Sequence, residues 1–241
     1  MRIAVLSDIH ANYHALEAVL AAVDAAGVDE TWCLGDTVGY GPRPNRCCAI
    51  VRERSALCLA GNHDLAVIGT LSVDEFNGDA AAAVRWTQGV LEDDARAFLT
   101  GLEPAATREG VELFHGSPLD PVWDYVLSEA AAFLSFKATT APLLLVGHSH
   151  LPLAISWNGT DLRGGVAGIG EVDLSEGRWL LNPGSVGQPR GNDPRAAWLL
   201  IDDHARRATF LRVPYSIERT QAEIRERRLP EGLAARLALG E

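Results

Sequence analysis

Short apolar runs that alternate with helical repeats make up the first sixty residues of the chain. Residues 2–6 form an apolar, partly β-branched run that stops at Ser7-Asp8, which is typical of a buried strand. A stripe at helical spacing follows, at Leu16, Val19, Leu20 and Val23. Asn12 stands where the N-cap of this helix is expected, and Gly27 stands where a helix-ending glycine is expected. The pattern predicts a strand and then a helix with one buried face.

The same alternation continues along the chain. We predict strands at residues 30–34 and 56–60, with a helix between them that begins at Pro44 and ends near Arg54. Helices are then predicted over residues 77–102 and near residues 128–137, and apolar strands at 111–114 and 143–146. Because strands that alternate with helices favour parallel pairing, this part of the chain predicts a largely parallel sheet.

The pattern changes after His150 to short strands separated by turns rich in Gly and Asp. The predicted strands are residues 153–157, 161–163, 168–173, 178–181, 196–201 and 208–213. They indicate a second, more antiparallel sheet. A charged helix from Ser216 closes the chain, and we expect it to be a solvated face with an i,i+4 pair of Glu223 and Arg227. No linker or repeat divides residues 1–241, so we expect one domain.

Composition excludes several classes of protein. A chain of 241 residues with 47% hydrophobic side chains is globular, and its longest apolar stretches are far shorter than the ~20 residues that span a membrane. The net charge of −11 opposes binding to duplex nucleic acid, which needs clustered cations. The four cysteines contain no C-x-x-C pair and indicate no disulfide framework. We therefore expect a cytoplasmic protein without a secretory signal.

Five short strings carry residues that commonly bind metals or substrates. They are Asp8-Ile9-His10, Gly35-Asp36, Gly61-Asn62-His63-Asp64, His115-Gly116 and Gly147-His148-Ser149-His150. Each string lies just past the end of an apolar run. Since ligand sites of sheet-based folds gather outside the carboxyl ends of strands, we expect the five strings to meet at one site.

The spacing within the strings supports a metal centre. Residues two apart in extended backbone point to the same side, so Asp8 with His10, and His148 with His150, can each present two ligands. Imidazole and carboxylate together suit Mn, Fe, Zn, Co or Ni better than Ca or Mg. The absence of cysteine argues against a structural zinc site. Seven candidate ligands exceed the needs of one ion and suggest two.

Taken in this order, the strings resemble the signature of the calcineurin-like metallophosphoesterase superfamily. The sequence around Gly39-Tyr40-Gly41-Pro42, and that from Asn182 to Gly187, is similar to its small bacterial branch of diadenosine-tetraphosphatase-related phosphoesterases. The resemblance implies an α/β fold that is a four-layer αββα sandwich. Two mixed β-sheets would lie face to face, with helices outside.

The resemblance also implies roles for individual residues. Asp8, His10 and His150 match the ligands of one metal, Asn62, His115 and His148 match those of the other, and Asp36 matches the bridging carboxylate. His63 matches the histidine that binds phosphate and protonates the leaving oxygen, and Asp64 matches the acid that orients it and raises its pKa. The implied cofactors are two divalent ions, manganese first, with Fe, Ni, Co or Zn as alternatives.

These roles predict a hydrolase that cleaves a phosphodiester, phosphoanhydride or phosphomonoester of a small phosphorylated or nucleotide substrate. A hydroxide that bridges the two metals would attack phosphorus. Three alternatives stay open: a catalytically silent binding scaffold, like the retromer subunit of the superfamily; a nuclease, like its DNA-repair members; and a protein phosphatase. The presence of His63 opposes the scaffold, and the acidic balance opposes the nuclease. The sequence does not decide the oligomeric state.

Residues outside the strings are less specific. Arg190 is a candidate phosphate clamp, since guanidinium binds phosphate bidentately, and Arg43 and Arg46 are its rivals.

The segment from Asn182 to Ser185 is either a plain turn or a loop that folds back near the metals. Tyr40, Trp123 and Tyr125 either stack on a nucleobase or pack in the core, and we favour the core. We assign His14 and His204 to surface or capping roles.

Overall fold

Two six-stranded sheets form the centre of the computed structural model, which describes residues 1–241. The strands are β1 (Arg2–Leu6), β2 (Glu30–Cys33), β3 (Leu57–Cys58), β4 (Ala105–Arg108), β5 (Val111–Phe114), β6 (Leu143–Val146), β7 (Pro152–Trp157), β8 (Leu162–Val166), β9 (Gly170–Asp173), β10 (Arg178–Pro183), β11 (Ala196–Asp202) and β12 (Arg207–Val213). The helices are α1 (Tyr13–Ala26), α2 (Pro44–Arg54), α3 (Asn62–Ile68), α4 (Gly78–Val90), α5 (Asp93–Thr100), α6 (Glu129–Ala138), α7 (Ile217–Glu226) and α8 (Glu231–Ala235). No helix has both the length and the apolar character that a membrane span requires.

Both sheets mix parallel and antiparallel strands. The first has the order β3-β2-β1-β11-β12-β9, and its β1, β2 and β3 are parallel to one another. The second has the order β4-β5-β6-β10-β7-β8, with β5, β6 and β10 parallel. The remaining pairs in each sheet are antiparallel. The predicted fold class, an α/β sandwich of two mixed sheets with helices around them, is confirmed.

The prediction that the strands after His150 form a sheet of their own was wrong. β9, β11 and β12 join the first sheet, whereas β7, β8 and β10 join the second. The strands are mostly antiparallel, as expected, but they extend the parallel part of each sheet instead of pairing only among themselves. Period-two alternation shows that a strand has one buried face, but it carries no information about which neighbour the strand takes.

Apolar side chains alternate between the two faces of each sheet. Val5 belongs to the cluster that also contains Leu145 of the opposite sheet, whereas the next residue, Leu6, packs in the cluster beneath α1. In the second sheet Leu145 faces the first sheet, and Leu144 packs with Phe136 of α6. Burial on both faces produces the order helix, sheet, sheet, helix, and explains the continuous apolar runs in the central strands.

Local signals fixed several element ends. The Asn12 side chain accepts a hydrogen bond from the backbone N–H of Ala15 at the start of α1, and Gly27 ends the helix in the left-handed conformation at φ 65°. The predictions missed β4 and α3. β4 is a short strand without a clear apolar alternation, and α3 has only seven residues and begins inside the third metal-ligand string.

The C-terminal helices pack on the N-terminal half instead of forming a solvated face. Glu223 of α7 accepts two hydrogen bonds of 2.7 Å from Arg43 and lies 3.0 Å from Nε2 of His14. The expected Glu223–Arg227 pair does not form, because the Glu223 side chain is turned toward α1 and α2. His14, which we expected at the surface or in a cap, is buried, whereas His204 is exposed. Hydrogen bonding from Arg43 lowers the pKa of Glu223 to about 2.

We expect Glu223→Ala to lower the free energy of unfolding by about 1 kcal/mol, because Arg43 and His14 both lose their acidic partner. Glu226→Ala, on the exposed side of the same helix, is the matched control and should leave stability unchanged. A depressed carboxyl pKa stabilises the fold above its ordinary value of 4.5, so the difference should shrink as the pH falls from about 4.5 toward 2. Urea unfolding of both variants tests this, and equal losses in the two would contradict it.

Candidate metal centre

The five strings meet where the strands of the two sheets end. Asp8 follows β1, Asp36 follows β2 and Asn62 follows β3, while His115 and His148 follow β5 and β6 of the other sheet. Five of the string residues adopt left-handed backbone: Asp8 (φ 54°), His10 (φ 49°), Asp36 (φ 52°), His148 (φ 60°) and His150 (φ 59°). Such conformations are unfavourable for residues other than glycine, and they persist where surrounding contacts hold them. The site is therefore a set of strained turns held by two sheets.

Two glycines allow the turns to approach one another. A Cβ on Gly61 would lie 2.0 Å from Oδ1 of Asp36, and a Cβ on Gly187 would lie 1.8 Å from the carbonyl oxygen of Ile9. Both distances are far below any real contact, so a larger residue at either position would push a string out of place. Glycine is the side chain that permits this packing.

Asp8, His10 and His150 form the first group of potential ligands. Nδ1 of His10 donates to the carbonyl of Val38 at 3.1 Å, and Nδ1 of His150 donates to the carbonyl of Gln188 at 2.9 Å. Because a carbonyl only accepts, both protons reside on Nδ1, and the two Nε2 lone pairs face each other at 3.0 Å. Neither oxygen of the buried Asp8 carboxylate has a hydrogen-bond partner, and Oδ1 lies 3.4 Å from Nε2 of His150. Acceptors that converge without a donor suit a cation.

Asp36, His115 and His148 form the second group, beside Asn62. Nδ1 of His115 donates to the carbonyl of Leu34 at 2.8 Å, and its Nε2 lies 3.3 Å from Oδ1 of Asn62. Nε2 of the buried His148 has no hydrogen-bond partner.

Asp36 lies between the two groups. Its Oδ2 is 3.6 Å from Nε2 of His10 and also 3.6 Å from Nε2 of His115. The potential ligand atoms of Asp8, His10 and His150 lie within 4.8 Å of one another, and so do those of Asp36, His115 and His148. The structure thus brings all seven predicted ligands together, with Asp36 in the position that a bridging carboxylate requires.

The electrostatics of the cluster fit divalent cations. Burial raises the pKa of Asp8 to about 7 and the pKa of Asp36 well above its ordinary value, because no donor compensates their desolvation. Burial also lowers the pKa of His148 to about 4 and holds His10 neutral. Neutral imidazoles and carboxylates that lack a protein counter-charge are the ligands that N- and O-binding transition metals take. The residues therefore fit the two ions.

The structure contradicts the expected pairing of Asp64 with His63. The Asp64 carboxylate accepts from the backbone N–H groups of Thr37, Val38 and Gly61 at 3.0–3.2 Å, and it makes no hydrogen bond to His63. Asp64 thus ties together the loops after β2 and β3.

The expected rise in the pKa of His63 was also wrong. The His63 ring lies against Tyr40 and Phe76 at centroid distances of 4.4 and 4.9 Å, and its buried Nδ1 has no partner. Burial lowers the pKa of His63 to about 3, so the ring is neutral near pH 7.

The segment from Asn182 to Gln188 folds back onto the cluster. Nδ2 of Asn182 donates to the carbonyl of Gly147 at 2.7 Å, and Oγ of Ser185 donates to the carbonyl of Asp8 at 2.8 Å. The carbonyl of Gln188 orients His150. Of the two uses that the sequence left open for this loop, the structure supports the one near the predicted metal ligands.

A cavity of about 290 Å³ opens beside the cluster. Its lining contains Arg190, whereas Arg43 is paired with Glu223 and Arg46 lies near the Tyr13 ring. Arg190 donates to the carbonyls of Gln188 and Glu241 and to Oε1 of Gln188. Its position in the lining favours it over its two rivals as a phosphate-binding side chain.

Aromatic residues supply most of the apolar lining. Tyr40, Trp123 and Tyr125 all line the cavity, so the expectation that they serve only the core was wrong. Tyr125 is 50% exposed and stacks on His148 with ring centroids 4.0 Å apart. The sequence analysis missed Phe76, which lies far from every string. A tertiary contact alone brings it to the cavity, so no local pattern could have identified it.

Comparisons with known proteins agree with this geometry. A family model described as a calcineurin-like phosphoesterase superfamily domain matches residues 1–204. A relative from Methanocaldococcus jannaschii, an uncharacterized protein, is 37% identical over 99% of this chain and 98% of its own. The crystal structure of a metallophosphoesterase from Sphaerobacter thermophilus is 43% identical, with a TM-score of 0.91 over the whole of both chains. A hypothetical protein from Pyrococcus horikoshii has the same fold at 21% identity, with a TM-score of 0.82 over 100% of this chain and 98% of that one.

We expect Mn²⁺ to raise the melting temperature of chelator-treated protein, and to raise it more at about pH 8 than at about pH 5.5. The ligands must lose protons before they bind a metal, and Asp8 titrates near 7. A raised carboxyl pKa also means that the metal-free fold loses stability as the pH rises through that value, and the cation offsets this loss.

Thermal denaturation with Mn²⁺ or with chelator at both pH values measures the effect. Asp36→Asn should abolish the shift, whereas His204→Ala, which changes an exposed histidine outside the cluster, should retain it. A shift that is absent, or larger at acid pH, would contradict the assignment of the ligands.

Proposed function

The chain belongs to the calcineurin-like phosphoesterase superfamily and is a metal-dependent phosphoesterase, and we propose that it hydrolyses small phosphodiesters or phosphomonoesters at a two-metal centre. The observation that carries the proposal is the position of Asp36. Its carboxylate lies 3.6 Å from a histidine nitrogen of each ligand group, so one side chain can hold two ions close together. Binuclear hydrolysis of phosphoesters requires ions about 3.5–4 Å apart.

The protein's part in the reaction begins with holding the ions. Asp8, His10 and His150 would bind one ion, Asn62, His115 and His148 the other, and Asp36 both. When bound, two divalent ions activate a water molecule and neutralise charge on the phosphate oxygens. The Nδ1–H hydrogen bonds of three histidines to backbone carbonyls fix the tautomers and ring orientations that direct Nε2 inward.

His63 is the candidate proton donor. It lines the cavity next to Asn62 and has an unpartnered Nδ1, so a ring nitrogen is free to meet a phosphate oxygen. The neutral ring becomes easier to protonate when a phosphate anion lies beside it, since an opposite charge favours the charged form. His63 would then donate that proton to the leaving oxygen. Asp64 is a positioning residue, which acts through the backbone of the neighbouring loops.

The size of the cavity supports a small substrate. A volume of about 290 Å³ is at the lower end of ordinary small-molecule sites, which span about 300–1,000 Å³. Such a cavity favours a small phosphorylated or nucleotide ligand over the peptide segment that a protein phosphatase must hold. Arg190 adds positive charge near the phosphate position, and burial lowers its pKa only to about 10, so it stays charged near pH 7.

The native metal and the compartment follow from side-chain chemistry. Mixed imidazole, amide and carboxylate ligands suit Mn²⁺, with Fe, Ni, Co and Zn as the alternatives, and cellular supply selects among them. All four cysteines are free, three of them buried, which supports a reducing compartment such as the cytoplasm. We propose a manganese enzyme of the cytoplasm.

Asp36→Asn should lower kcat by about 10³-fold or more, because the two ions lose their shared ligand. His63→Ala should lower kcat by about 10²–10⁴-fold without changing the fold, because it removes only a general acid. Mn²⁺-dependent hydrolysis of bis(p-nitrophenyl) phosphate and p-nitrophenyl phosphate measures both changes, and His204→Ala is the histidine control. Turnover at the wild-type rate in Asp36→Asn would exclude the two-metal mechanism.

A further inference from the structure

The cavity beside the metal centre has a continuous aromatic wall, which we define as Phe76, Trp123 and Tyr125. Phe76 and Trp123 are in contact, with ring centroids 5.2 Å apart, and Trp123 lies 6.5 Å from the His148 ring. Tyr125 stacks on the same histidine at 4.0 Å with an interplanar angle of 19°. The aromatic wall therefore begins on a predicted metal ligand and extends away from it.

The aromatic wall is available to a ligand. Tyr125 is 50% exposed although one side of its ring is stacked on His148, and Trp123 and Phe76 are only half-buried. All three side chains line the same cavity as His63 and Arg190. A planar group attached to a phosphate at the metals could thus lie along exposed aromatic surface.

Charge in the cavity is sparse apart from the metal ligands. Arg190 is the single Lys or Arg among the 14 residues that line it, and the carboxylate of Glu75 also belongs to the lining. Three hydrogen bonds to backbone and side-chain oxygens already engage the Arg190 guanidinium. A polyphosphate chain would place several further negative charges beside aromatic rings and Glu75, with one partly engaged cation to neutralise them.

We propose that this cavity selects phosphoesters that contain one phosphorus atom and an uncharged planar aromatic group, and that Tyr125 and Trp123 determine this specificity. The inference rests on the proposed function and names its substrate class. Stacking is tolerant of ring identity, because every such ring has a π-face, so a simple aryl group and a nucleobase are both sources of this chemistry. The metal centre binds the phosphoryl group, and the aromatic wall binds the ring.

Inhibition by paired phosphonates tests the proposal on full-length, Mn²⁺-loaded protein. Phenylphosphonate and methylphosphonate differ by the aromatic ring and are not substrates for ester hydrolysis. We expect phenylphosphonate to inhibit bis(p-nitrophenyl) phosphate hydrolysis about tenfold more tightly, since one stacking contact is worth at least that factor. Adenosine 5′-monophosphate is the nucleoside arm, and tripolyphosphate is the arm without a ring.

Variants of the aromatic wall separate stacking from metal binding. Tyr125→Ala and Trp123→Ala should each reduce the preference for phenylphosphonate to about threefold or less, with little change for methylphosphonate. Tyr125→Phe keeps the ring on His148 and should retain the preference. A matching loss for both phosphonates would show that the variant disturbs His148 and would overturn the role assigned to Tyr125.

Equal inhibition by the two phosphonates, or tighter inhibition by tripolyphosphate, would overturn the proposed specificity. Tighter binding of adenosine 5′-monophosphate than of phenylphosphonate would assign the ring to a nucleobase, and the reverse order would assign it to a simple aryl group. If the protein turns over no ester with any metal, calorimetric titration of the same phosphonates still measures the preference. The proposed function would then fail while the selectivity could still be present or absent.

Discussion

The arrangement of the site depends on one constraint: lone pairs from carboxylates, imidazoles and an amide converge in a buried space that contains no protein donor for them. His10 and His150 face each other through Nε2 at 3.0 Å, and both oxygens of Asp8 have no partner. Desolvating such groups costs several kcal/mol unless a cation compensates them. The left-handed turns, the close-packed glycines and the Nδ1–carbonyl hydrogen bonds all serve to keep these acceptors in place.

Local chemistry made much of the fold and the cluster predictable. Continuous apolar runs revealed the central strands, and the polar strings after them revealed the ligands, because the carboxyl ends of neighbouring parallel strands meet at one edge. What could not be predicted depends on partners distant in sequence. The division of the late strands between two sheets, the pairing of Glu223 with Arg43, and the contact of Phe76 with His63 all join segments that no local pattern connects.

The two errors at the site share a physical cause. Asp64 is adjacent to His63 in sequence, but their helical backbone turns the carboxylate toward three amide groups that need an acceptor. Backbone N–H groups without a partner are costly in a buried loop, so they take the carboxylate and leave the His63 ring unpaired. Chemistry and specificity are also divided in space: strand ends supply the ligands, whereas connecting segments supply Phe76, Trp123 and Tyr125.

The number of metal ions per chain tests the central claim most directly. Elemental analysis of Mn²⁺-loaded, desalted protein, combined with anomalous diffraction from its crystals, counts the ions and locates them. The account predicts two ions per chain, about 3.5–4 Å apart, with the Asp36 carboxylate between them. One ion per chain, or two ions without Asp36 as a shared ligand, would contradict it.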